Sequence, residues 1–96
     1  MKYEILQLKQ EHLRDYGFMD YKWASEHGFN LDHYNKVYEG EIDDKLTPAE
    51  ACEKLFVKFN IHRPEDFKGH SMSVSDIVVL DGHRFYTEGM GFKRLN

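Results

Sequence analysis

A chain of 96 residues fits a single small domain spanning 1–96, one that buries only about two-thirds of the surface its unfolded chain exposes. With 17 acidic against 13 basic residues the net charge is −4, which argues against free DNA binding, because neutralising phosphates needs a basic footprint. The one cysteine, Cys52, excludes an internal disulfide, and no leader or membrane-spanning run is read, so a cytoplasmic protein with no membrane partner is expected.

The aromatic share of 15% supports a packed core despite a mean hydropathy of −0.70. Tyr3–Leu8 is rich in strand formers and reads as the first strand. Lys9–Asp15 is polar and turn-like. Tyr16–Met19 reads as a second strand, with Gly17 marking a bulge. Asp20 can cap a short helix near 21–27 that Gly28 ends. Asn35–Ile42 reads as a third strand at a sheet edge, where Lys36, Glu39 and Glu41 discourage edge-to-edge pairing.

The strongest local signal is TPAEACEKLFVKFN, Thr47–Asn60. Thr47 and Glu50 form a capping box, and Pro48 sits at the first helical position, where a missing N–H costs nothing. Cys52, Leu55, Phe56 and Phe59 then follow the spacing of one buried helical face. Ser75–Leu80 reads as a strand buried on both faces, Asp81-Gly82 as a hairpin turn, and His83–Glu88 as the returning strand. A last bend and short strand occupy Gly89–Leu95. The order predicts an α+β domain. Its mainly antiparallel sheet has four to six strands, with the 47–60 helix packed on one face.

Three constellations invite chemistry. His70 and Ser71 follow Gly69 as in a nucleophile elbow, which would make a small hydrolase. That elbow needs a strand before it and a helix after, whereas here a helix and loop precede and a strand follows. The bland reading has Ser71, Ser73 and Ser75 bonding to loop backbone, with Asp76 closing a loop hydrogen bond. The six histidines show no metal-ligand spacing, so no metal and no cofactor is expected. Glu39, Glu41, Asp43 and Asp44 form an acidic stretch with no basic residue among them. It reads as a solvated face, as carboxylates that bind a metal ion, or as a partner-binding charge row that imitates the phosphates of a nucleic acid in a basic channel. Trp23 is a candidate interface anchor, with a core role as its alternative.

The segments VYEGEI, RPEDFKGHSMSVSDIVVL and DGHRFYTEGMGFKRL, with the helix between them, resemble the YodL-like domain family. The matching positions are Val37, Tyr38, Gly40, Phe59, Asn60, Pro64, Asp66, Phe67, Gly69, Ser71, Ser73, Val74, Ser75, Asp76, Gly91 and Phe92. Where that family carries aspartate-serine before its closing G-F, this chain has Glu88-Gly89-Met90. The resemblance implies a non-enzymatic binding module found among mobile-element accessory proteins of Firmicutes. The first expectation is therefore an anti-defence inhibitor, specifically an anti-CRISPR protein. Its partner would be a CRISPR nuclease or the guide RNA complex, and it would block assembly or DNA access. The alternative is a regulator of host cell shape or cytoskeleton, and the hydrolase using His70 and Ser71 ranks third.

Overall fold

A computed structural model describes residues 1–96. Its sheet has five strands: β1 (Lys2–Leu8), β2 (Tyr34–Glu41), β3 (Ile77–Leu80), β4 (His83–Glu88) and β5 (Gly91–Arg94). They lie in the order β2-β1-β3-β4-β5, and every neighbouring pair is antiparallel. Three helices complete the chain: α1 (Gln10–Tyr16), α2 (Tyr21–Glu26) and α3 (Pro48–Ile61), with a single 3-10 turn at Leu31–His33. The expected α+β architecture is present, and β2 is the edge strand the sequence predicted.

α3 begins as its sequence dictates. The Glu50 N–H donates to Thr47 Oγ1 at 3.2 Å and the Thr47 N–H donates to Glu50 Oε1 at 2.9 Å, which holds the Glu50 carboxyl below its ordinary range. Its buried stripe is Ala51, Cys52, Leu55 and Phe59, with Phe56 half-buried against Phe92. The stripe packs on Tyr3, Ile5, Val78, Leu80 and Phe85 to make the main core. Burial raises the Cys52 thiol to about 12, so it packs as a small apolar group.

The opposite face of β3 is buried too. Ile77 and Tyr86 pack there with Ala24 and, more loosely, Tyr21, Trp23, Phe29 and Leu31. This second cluster is why Ile77–Leu80 is apolar in both pleat directions. The Asp81-Gly82 hairpin forms with both residues at positive φ, 47° and 87°.

Two expectations are corrected. Lys9–Asp15 is not a turn: Gln10–Tyr16 is helical, and its inner side is the half-buried trio His12, Leu13 and Tyr16. Tyr16–Met19 is not a strand. Tyr16 closes α1, and the Gly17 N–H donates to Leu13 O at 2.9 Å. A Cβ on Gly17 would lie 2.5 Å from that same oxygen, so glycine serves a tight helix end rather than a bulge. The bulge is at Val37 instead, between the pairs Ile5↔Tyr38 and Leu6↔Lys36. The strand expected to start at Ser75 starts at Ile77, because Ser75 has a φ of 87° and turns the chain before it enters the sheet.

Phe18 also sits at positive φ, 65°, with its side chain 67% exposed. That backbone region suits asparagine and costs other side chains about 1 kcal/mol. Phe18→Asn is therefore expected to raise the unfolding free energy by ~0.5–1 kcal/mol in urea titration. A loss of stability would show that Phe18 contributes to the fold.

Candidate functional site

The serine-rich loop is organised by a residue that local sequence did not flag. Gln7 stands on the α3 side of β1, in line with Tyr3 and Ile5, and is 2% exposed. Its Nε2 donates to His70 O at 2.8 Å and to Asp76 Oδ2 at 3.0 Å, and its Oε1 accepts from the His70 N–H at 3.1 Å. One amide thus stands in for a missing strand and clamps the loop. Gly69 permits this approach, since a Cβ there would lie 2.3 Å from Gln7 Oε1.

Asp76 is buried and accepts a second bond at Oδ2, from the Ser73 N–H at 2.9 Å. Burial pushes its carboxyl up to about 7, opposed by the Ser73 N–H, by His70 and by the Gln7 amide. Ser75 is held on three sides. Its N–H donates to Thr87 O at 2.9 Å, its O accepts from the Tyr34 hydroxyl at 2.7 Å, and its Oγ accepts from the Phe18 N–H at 3.3 Å.

The ring Nδ1 of His70 lies 2.7 Å from Ser71 O, a main-chain atom, and the Asp76 carboxylate is engaged by Gln7 and Ser73. No side-chain bond joins His70 to Ser71 or to Asp76, so these bonds serve the loop. No group of three His, Cys, Asp or Glu side chains is placed to hold a metal ion. The nearest approach among histidines is His12 stacked on His33, ring centres 3.8 Å apart.

The acidic stretch divides in two. Glu39 and Glu41 stand on β2 opposite Glu4 and Lys2. Lys36 Nζ lies 2.9 Å from Glu39 and 3.9 Å from Glu4. Asp43 accepts from the Lys45 N–H at 2.9 Å, and Asp44 meets the Met1 amino group, so these two shape the turn after β2. Trp23 is not beside them. It is half-buried on α2, stacked on His27 at 4.0 Å and edge-on to Tyr16 at 6.2 Å.

The structure adds surface residues that sequence reasoning passed over. Val57 and Ile61 lie outside the buried stripe of α3, and they are 48% and 69% exposed. Met90, on the β4–β5 turn, is 98% exposed. The turn carrying Phe18 is tied to that turn, since the Gly89 N–H donates to Asp20 Oδ1 at 3.0 Å and the Tyr21 N–H donates to Glu88 Oε2 at 3.1 Å. The signal for Val57 and Ile61 was present: they are apolar residues four apart, off the core face. An open groove of about 580 Å³ lies between α3 and the end of β2, with Tyr3, Ile42, Leu55 and Val57 as its apolar lining.

A five-stranded antiparallel sheet with one main helix on one face and short helices beside it defines a small α+β domain. The family model of the YodL-like domain matches residues 2–96, and the chain belongs to that family. No curated protein and no solved structure matches it.

Proposed function

We propose that the chain is a non-enzymatic protein-binding inhibitor of the anti-defence kind, encoded by a mobile element, that acts by docking on a host target. The observation that carries this reading is the pair of exposed apolar residues Val57 and Ile61 one turn apart on α3, with Val57 lining an open, mainly apolar groove of about 580 Å³. The charge surplus of −4 and the row Glu39–Glu41 support a basic target. A CRISPR-associated nuclease is such a target, because its channel for guide and target strands is positively charged.

Capture from a lysate of cells expressing such a nuclease tests this. The nuclease or its guide complex should be retained at low salt, and its recovery should fall at least about tenfold between 50 and 500 mM salt. Retention indifferent to salt would sink the electrostatic part. Recovery of filament proteins instead would favour a regulator of cell shape.

A further inference from the structure

β2 is the outermost strand on its side of the sheet, so one of its edges faces no neighbour. The phase of that edge follows from the ladder. The Ile42 N–H donates to Met1 O at 2.9 Å and the Met1 amino group donates to Ile42 O at 2.6 Å. Bond-exchanging pairs alternate with open pairs in an antiparallel ladder. Tyr3↔Gly40 and Ile5↔Tyr38 therefore exchange bonds, while Lys2↔Glu41 and Glu4↔Glu39 do not. β3 agrees with this phase, since the Asp81 N–H donates to Lys2 O at 2.9 Å. Glu39 and Glu41 thus turn their backbone N–H and C=O groups outward, on the longest strand of the chain.

The two faces beside that edge differ in chemistry. Glu39 and Glu41 project away from α3, next to Glu4. Lys36 is the one cation paired there, and Glu41 has no ion-pair partner. Gly40 and Ile42 face the α3 side, where the 580 Å³ groove opens beside the end of β2. Carboxylates on one face and an apolar groove on the other are complementary to an extended chain whose side chains alternate in the same way.

Building on the binding-module reading, we infer that β2 accepts an extended segment of a partner protein as a sixth strand, in which basic and apolar residues alternate. Its basic side chains lie over Glu39, Glu41 and Glu4, and its apolar ones enter the groove. The same carboxylates repel the β2 edge of a second copy, since like charges opposite one another destabilise a ladder. β5 of a second copy is a poor occupant. Its Phe92 is packed against Phe56, and Arg94 is bound to Asn96 O and His83.

The test uses the isotope-labelled full chain and a blocked peptide of about seven residues alternating lysine and valine. Saturable shifts and slowed amide exchange centred on Glu39 and Glu41 are expected. A glutamate–valine peptide should not bind. N-methylation of alternate peptide amides should abolish binding in one phase and spare it in the other. Glu39→Lys with Glu41→Lys, both exposed and checked for folding by circular dichroism, should weaken the lysine–valine peptide by about tenfold or more. Shifts centred on Phe18 and Met90, equal binding of both N-methylated phases, or concentration-dependent self-association would each overturn the inference. If the peptide fails while a lysate partner is still captured by the Glu39→Lys, Glu41→Lys variant, the edge is wrong and the binding reading stands.

Discussion

Gln7→Ala is expected to lower the unfolding free energy by about 3–5 kcal/mol, and the melting temperature by roughly 15–25 °C. The side chain makes three hydrogen bonds to His70 and Asp76 from a 2% exposed position. Alanine leaves the half-buried N–H and C=O of His70 without their partner, takes one donor from buried Asp76 and opens a void. Each orphaned buried group costs about 1–3 kcal/mol and the void adds to it. A domain of this size has only ~5–10 kcal/mol in total, so about half of the molecule's margin rests on one amide. Urea unfolding measures the loss, and amide exchange at His70 should accelerate with it. A decrease under about 1 kcal/mol would refute the role given to Gln7.

The second large effect is a stability that falls as pH rises. The Asp76 carboxyl titrates near 7 in the folded chain and near its ordinary 3.8 when unfolded. Between those values the folded state holds a proton that the unfolded state has released. Stability from this group is therefore complete below about pH 4, lost progressively up to about pH 7 and absent above it. The sum is on the order of 2–4 kcal/mol. Three titratable groups face Asp76. His70 opposes the shift, whereas Tyr34 and Tyr86 are themselves raised by burial and stay neutral throughout this range. Asp76→Asn keeps an oxygen for the Ser73 and Gln7 donors and removes the charge. It should flatten the profile between pH 4 and 7 and exceed the parent in stability at pH 8. Parallel profiles for the two proteins would exclude Asp76 as the source. Asp76→Ala deprives both donors of their acceptor and should be less stable than either.

What could be read from the residues was what neighbours in sequence decide. The α3 capping box, its proline and its apolar stripe lie within one segment, and the Asp81-Gly82 turn needs only its own two residues. The double-faced burial of Ile77–Leu80 was legible for the same reason. The α1 helix was hidden because its inner side is built from His12 and Tyr16 as well as Leu13, which reads as a polar stretch. Tyr16–Met19 looked like a strand because it is apolar, but its members have separate tasks: Tyr16 ends a helix, and Phe18 is held outward at positive φ. The acidic row was found where it stands, on the edge strand. Its split into Glu39 and Glu41 on β2 and Asp43 and Asp44 in a turn needed the ladder. Gln7 was out of reach, since its partners are 63 and 69 positions away.

The strand that begins the chain sits near the middle of the sheet, between β2 and β3. One of its ladders awaits Tyr34–Glu41 and the other awaits Ile77–Leu80. β1 is therefore made before either of its neighbours and stays open on one side until Leu80 has followed. Until Leu80 has emerged, the backbone groups of Lys2, Glu4 and Leu6 have no strand to bond with, and Tyr3 and Ile5 have half a core to enter. Such long-range pairing slows folding relative to a helical domain of equal length.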